Sequence, residues 1–322
     1  MLNSNFNRKV KVHLPKVSFY KTEKHFSLIQ LLAFVLVFGA IGIYFLWHSF
    51  AAAPTVTKLL TIMEENHSCA AAQAGMPNLS SVAATTNGGQ VACANSKGIT
   101  HPSLPNYLAY ATGSTQGVKD DGPPSSHKIS GQSVFDQAIA AAEAATSYHE
   151  SIPSNCKQTD SGSYTAHHNP WAYMSDAVPR ANCNAHDISS GSTSSGNLRT
   201  DVNGGSLPIV GFLVPTNAHN AHDGTLAAAD SWLKAWLAVI ETGPDFTSGA
   251  LAIVVTFDEP DFSAPGTDPV WTVVIRKGMA SQTINSGSYN LYSLLRSQER
   301  VAGVPFLGKA GSASDLLAAF GL

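Results

Sequence analysis

Apolar residues along this chain fall into a few short continuous runs separated by amphipathic stretches. Positions 55–63 form a strand-like run that ends in Glu64, Glu65, Asn66, His67 and Ser68. Positions 207–214 and 250–257 are uninterrupted apolar blocks, the second ending in Asp258 and Glu259, and positions 270–275 make a neighbouring strand. Blocks without polar alternation are what strands covered on both faces require. Between them, positions 134–145, 225–240 and 291–301 place apolar residues at helical spacing. Strands alternating with helices predict the α/β class, here a single α/β/α domain around a mostly parallel or mixed sheet. Ligands of such sheets gather beyond the carboxyl ends of the strands, and both acidic clusters fall there. Positions 154–164 and the Ser/Gly-rich stretch 189–205 fit no regular element and read as surface loops.

One longer apolar run stands apart. Positions 31–47 carry no charge, and tolerant flanks extend the run to roughly the 20 residues that cross a bilayer. Ahead of it lie Arg8, Lys9, Lys11, Lys16, Lys21 and Lys24 against the single acid Glu23. This predicts a basic cytoplasmic segment at 1–26, a transmembrane anchor or signal at 27–50, and an exported domain at 54–322. Contact with the membrane would run through the N-terminal helix. Ala51, Ala52 and Ala53 before Pro54 leave a cleaved, secreted form open. All four cysteines lie beyond the span. An even number in an exported portion predicts two disulfides, with Cys69 to Cys93 and Cys156 to Cys183 the simplest of three pairings. Zinc is the rival reading, against which stands the lack of any close cysteine pair. A formal net charge of -3, with no Lys/Arg-rich run in the body of the chain, offers no general attraction to nucleic acid.

The segment at 101–113, His-Pro-Ser-Leu-Pro-Asn followed by a helix-prone stretch and Thr112-Gly113, carries the most chemistry. A serine at the start of a helix sits where backbone N–H groups can stabilise an alkoxide or an anion. Read alone, Ser103 is more readily a helix cap than a nucleophile. Two strand ends, Glu65-Asn66 and Asp258-Glu259, add oxygen donors that suit Mg, Ca or Mn, and with histidine also Zn or Fe.

Taken together these motifs resemble the bacterial phosphoesterase family of acid phosphatases and phospholipases C, a branch of the alkaline phosphatase superfamily. The carrying residues are Glu65-Asn66, the P-S-x-P-N motif from Pro102 to Asn106 with Thr112-Gly113, the His168-Asn169-Pro170 triplet, and His222-Asp223 followed by Asp230-Ser231-Trp232-Leu233. Asp258-Glu259 and Tyr292-Ser293-Leu294-Leu295-Arg296 complete the order, over roughly positions 56–310. The resemblance implies an alkaline-phosphatase-like fold and makes Ser103 the nucleophile. It makes Asn106 a donor to a phosphate oxygen, His168 and His222 phosphate-contacting or leaving-group residues, and Glu65, Asn66, Ser103, Asp258 and Glu259 the holders of a divalent metal ion. His167 and His219 read as surface-loop histidines.

One departure matters. Related sequences often carry a histidine just before the last helix, where this chain has Leu291, which cannot ligate a metal and so favours one firmly held ion, or a second site completed by other residues. Implied substrates are a small phosphate ester or a phospholipid headgroup, with the phosphomonoesterase ahead because the chain lacks an appended domain and an apolar loop surface. A metal-free serine acyl hydrolase competes, but there is no G-x-S-x-G elbow. A surface protein that keeps the fold for binding has only Leu291 in its favour.

Overall fold

The structure, a computed structural model, describes residues 56–322. The expected span at 27–50 lies outside these residues. Among the described residues no helix is long and apolar enough to cross a membrane.

Eight strands, β1 (Lys58–Glu64), β2 (Gly88–Val91), β3 (Ala145–His149), β4 (Asp187–Ser189), β5 (Val210–Val214), β6 (Leu251–Phe257), β7 (Thr272–Arg276) and β8 (Gln282–Ile284), form one sheet in the order β4-β3-β5-β1-β6-β7-β2-β8. From β4 to β6 the strands are parallel, with Thr61 opposite Phe212 on one side and Val254 on the other. β7 runs antiparallel between β6 and β2, so the expected mixed sheet is what forms. The helices are α1 (Cys69–Gly75), α2 (Pro77–Ala83), α3 (Ser103–Thr112), α4 (Val134–Ala140), α5 (Ala177–His186), α6 (Asn197–Gly204), α7 (Leu226–Ile240), α8 (Pro244–Thr247), α9 (Leu291–Ala302) and α10 (Leu316–Ala319).

Strand parity divides the core. Leu59 and Met63 of β1, with Ala252 and Val254 of β6, pack under α3 and α9 against Tyr107, Leu108 and Leu294. Leu60 and Ile62, with Ile253, Val255 and Phe257, face α1, α2 and α7 through Ala72, Leu79 and Leu233. Every residue of β6 is buried, as its unbroken apolar run requires.

Two sequence expectations need correction. The helix read over 134–145 stops at Ala140, Ala142 takes a left-handed φ of 63°, and Ala145 already opens β3. Helix propensity of the alanine run concealed that break. The stretch 189–205, read as loop, contains α6, which ends on the left-handed Gly205 and buries Leu198 and Val202 four residues apart. Its Ser/Gly flanks hid a single helical pair.

Both expected disulfides form, Cys69 with Cys93 and Cys156 with Cys183. Closing loops of this size stabilises by about 3 kcal/mol each in the chain-entropy account. Asp187 is the one acid within metal-ligand reach of two cysteines among the described residues, but these are Cys156 and Cys183, oxidised and so without thiolates to offer.

Candidate active site

Parity also decides which acids meet. Glu65 continues the Met63 face of β1 and Asp258 the Val254 face of β6, so both carboxylates emerge at the carboxyl edge of the sheet on the side of α3. Ser103 is the first residue of α3, after Pro102 in extended conformation, and its side chain does not cap the helix. Its hydroxyl instead donates to Glu65 Oε2 at 3.0 Å. The Leu104 amide, a donor left open by the helix start, is taken by Asp121 Oδ1 at 2.9 Å. At the other end of α3, Gly113 has a φ of 73°, and a Cβ there would fall 2.2 Å from the Leu307 carbonyl oxygen.

Around this pair the remaining residues close in. Asn66 adopts a left-handed φ of 53°, which asparagine tolerates, and its amide reaches Asp258 Oδ1 at 3.3 Å. The Glu259 amide donates to the same oxygen at 2.7 Å. Tyr107, one helical turn after Ser103, donates its hydroxyl to Glu65 Oε1. Its ring stacks on His168 with centroids 5.0 Å apart, and His168 Nε2 stands 3.3 Å from the same Glu65 oxygen. His101 Nδ1 lies 3.0 Å from Glu259 Oε1.

Asn106 is part of the cluster but not in the role the family resemblance implies. Its amide donates to Glu259 Oε2 at 2.8 Å and to the carbonyls of Thr100 and Pro102, while its oxygen accepts from the Thr100 amide. No N–H is left for a phosphate, because a carboxamide has two and three acceptors already share them. Asn106 therefore ties the P-S-x-P-N turn to Glu259.

Glu65, Asp258 and Glu259 are all fully buried. Burial first, and their mutual repulsion with it, pushes the carboxyls of Glu65 and Glu259 upward, and burial raises that of Asp258. Asn66 Oδ1 and Asp258 Oδ2 are buried without a hydrogen-bond partner. Three enclosed carboxylates with spare acceptor oxygens are costly unless protons or a cation compensate them, and oxygen donors of this kind fit a hard divalent ion. Leu291, by contrast, is packed into the apolar core beneath the first turn of α9.

The histidines gather on one side. His168 touches His167 at a ring separation of 4.3 Å and His222 at 5.8 Å. Burial, followed by His167, His222 and His149, holds His168 well below the usual imidazole range. His222 sits at the rim with its Nδ1 2.7 Å from Asp223 Oδ1. Its backbone is placed by Asn220, whose carbonyl accepts from Glu65 N and whose side chain accepts from His222 N. Next to His167 opens a cleft of about 280 Å³ lined by Asp121, Thr159, Asp160 and Tyr173. His167 thus packs against His168 and lines this cleft, whereas His219 faces Glu150 at 2.9 Å. Tyr107, His101 and Asp121 were not singled out by sequence reasoning. Only the position of Tyr107 one turn after Ser103 offered a signal.

The Phosphoesterase family model matches residues 85–305. The phosphatidylinositol-3-phosphatase of Mycobacterium tuberculosis is 29% identical over 272 residues, which cover 83% of either chain. An acid phosphatase of Aspergillus fumigatus is 25% identical over 234 residues, 68% of this chain but only 50% of that protein. In fold the chain is similar to the alkaline phosphatase of the Antarctic bacterium TAB5, with a TM-score of 0.44 and 12% identity over 78% of this chain and 99% of the other, a likeness too loose to carry a functional argument. Because the matching family model spans well over half of the sequence and contains Ser103, His168, His222 and Asp258, the chain belongs to the Phosphoesterase family and is a phosphoric ester hydrolase.

Proposed function

We propose that this protein is an exported, metal-dependent phosphomonoesterase that cleaves small phosphate esters through Ser103. The observation that carries the reading is the Ser103 hydroxyl bonded at 3.0 Å to Glu65, inside a buried set of carboxylates with unpartnered oxygens. Glu65, Asn66, Ser103, Asp258 and Glu259 would hold a divalent ion, which when bound lowers the pKa of a hydroxyl and neutralises charge on phosphoryl oxygens. The identity of the ion is open among Mg, Ca, Mn, Zn and Fe.

In this reading Glu65 takes the hydroxyl proton as Ser103 Oγ bonds to phosphorus and the bond from phosphorus to the ester oxygen breaks. Water then attacks phosphorus and gives a proton to His222 while the bond from phosphorus to Ser103 Oγ breaks, Oγ regains the proton held by Glu65, and phosphate leaves. His168, kept neutral by burial, is suited to a hydrogen bond with the phosphoryl group rather than to proton donation. His222, paired with Asp223 at 2.7 Å, would protonate the departing alkoxide. Asn106 orients Glu259 in place of its expected contact with phosphate. The cleft beside His167 combines the polar side chains of Asp121, Thr159 and Asp160 with Pro123, Ala166 and the ring of Tyr173, which would suit a small leaving group with both hydroxyl and carbon faces. Two disulfides and the basic, apolar leader at 1–50 support export.

A second reading, a phosphoinositide or other phospholipid headgroup as substrate, is favoured by the name of the mycobacterial relative and by Phe262, 71% exposed and 5.1 Å from the His101 ring. Turnover of p-nitrophenyl phosphate, with and without chelator, tests the proposal together with Ser103→Ala. Metal-dependent release that disappears in a folded Ser103→Ala protein is expected. Near-normal turnover by that variant would remove Ser103 from the mechanism.

A further inference from the structure

Behind His168 lies a fully buried polar assembly that the chemistry above does not use. Asn169, next in sequence to His168, donates its amide to Asp187 Oδ2 at 2.6 Å and to the Tyr164 hydroxyl oxygen at 2.9 Å, and its oxygen accepts from the Ala172 amide at 3.2 Å. All its polar capacity faces inward, and neither Asn169 nor Asp187 is exposed to solvent. Asp187 opens β4 and its second oxygen lies 3.0 Å from His149 Nε2 at the end of β3, beside Ser147 Oγ at 2.8 Å from the same nitrogen. Cys156 N donates to the Asp187 carbonyl, so the disulfide loop is stitched to the same residue.

We infer that Asn169 and Asp187 are positioning residues for the phosphate-ester reaction: they anchor the turn carrying His168 to the sheet edge and so set the imidazole over Tyr107 and Glu65. Three facts support this. His168 sits in a single helical turn of three residues, Ala166–His168, too short to hold a side chain rigidly by itself. On one side its ring is held by stacking on Tyr107, and the backbone bonds of its turn, His168 N to the Thr165 carbonyl and Ala166 N to Asp160, stay within the neighbouring loop, so the tie to the sheet comes through the next residue. Asn169 supplies that fixing bond, and a buried amide-to-carboxylate contact is among the stronger polar contacts a protein makes. Asp187 rather than a backbone carbonyl is the acceptor, which ties the turn to β4 and through His149 to β3.

The inference rests on the assignment of His168 to the reacting phosphate, and its test separates the two. Turnover of p-nitrophenyl phosphate and inhibition by orthovanadate, which probes the anion pocket, are measured for His168→Ala, Asn169→Ala, Asp187→Ala, Asp187→Asn and the double variant His168→Ala with Asn169→Ala. A misplacement of about 1 Å costs about 100-fold in favourable cases, so Asn169→Ala should lose about 10- to 100-fold in kcat and weaken vanadate. In the His168→Ala background the same change should cost little more, because its effect passes through His168. Asp187→Asn, which keeps one acceptor oxygen and the same size, should recover most of the rate that Asp187→Ala loses. Full multiplicative losses in the double variant, or a folded Asn169→Ala with unchanged rate and vanadate inhibition beside a crippled His168→Ala, would overturn the positioning role. An unimpaired His168→Ala would instead overturn the assignment of His168 itself. Should Asn169→Ala not fold, the contrast between Asp187→Asn and Asp187→Ala decides: recovery in Asp187→Asn supports the role, and equal losses in both would reject it.

Discussion

Removing one oxygen, by Tyr107→Phe, isolates the most consequential contact of the site. The ring is fully buried and stacked on His168, so the phenyl group keeps the packing and opens no cavity of note. What disappears is the hydroxyl bond to Glu65 Oε1, the largest influence that opposes the rise of the Glu65 carboxyl caused by burial and Asp258. Hydrogen bonds to a charged partner contribute about 1.5 to 3 kcal/mol. With about 1.4 kcal/mol per factor of ten, that predicts a loss of about 10- to 100-fold in the occupancy of the ionised Glu65 state, and with it in apparent affinity for the divalent ion. His168 Nε2, 3.3 Å from the same oxygen, can recover part of the loss by turning toward it, which places the expected result near the lower figure. The assay is a chelator-buffered titration of p-nitrophenyl phosphate turnover against each candidate ion, with circular dichroism to confirm the fold. An unchanged half-saturating ion concentration in a folded Tyr107→Phe protein would mean that Glu65 does not hold the ion in its charged form, and the ligand set would need revision.

Two further outcomes follow from groups outside the site. Glu299 is enclosed, accepts from the Leu307 amide at 2.6 Å through one oxygen, and has no hydrogen-bond partner for the other; burial pushes its carboxyl from 4.5 up to about 8. The folded state therefore holds a proton that the unfolded chain releases near 4.5, so this contribution to stability is full below that pH and is lost as pH rises through about 8. Glu299→Gln, a neutral isostere, should match the wild type near pH 4.5 and exceed it at pH 9 in urea denaturation; parallel curves for the two proteins would refute the assignment. Replacing Cys156 and Cys183 together by serine should cost about 3 kcal/mol in the same assay, since the bridge closes a 27-residue separation. A loss within error of zero would show that the bridge does not restrain the unfolded chain.

How much of the fold and site is readable from the sequence depends on whether the signal is local. The apolar run of β6 and the dipeptide at its end lie side by side in the sequence, and both fall where expected. Ser103 at the start of a helix is equally legible, because the turn, the serine and the helix are contiguous. The role of Asn106 is not. Type and position make it a good anion donor, yet its amide is consumed by Glu259, 153 residues away. Asp121, in the irregular chain that follows α3, caps the start of that helix from 17 residues away, and no periodicity announces such a contact. Short strands at the sheet margin, such as β4 with three residues, have too few side chains to display alternation at all.

The doublet Glu64-Glu65 shows how a single sequence feature divides between two environments. Adjacent strand residues point to opposite faces, so the two acids that read as one cluster stand on opposite sides of the sheet. On the Glu65 side, donors converge: Ser103, Tyr107 and His168 all stand within reach of its carboxyl group. On the other side, Glu64 is equally enclosed, but neither of its oxygens has a hydrogen-bond partner, and burial with Asp230 and Glu150 nearby holds its carboxyl well above the usual range. Burial without a partner disfavours the charged form of such a group. Glu65, whose carboxyl burial also pushes upward, is surrounded instead by donors and by spare oxygens of Asn66 and Asp258, the setting in which the proposed cation would offset its charge. In the proposed reading the chemistry belongs to the α3 face, and Glu64 closes the end of β1 on the face packed by α7.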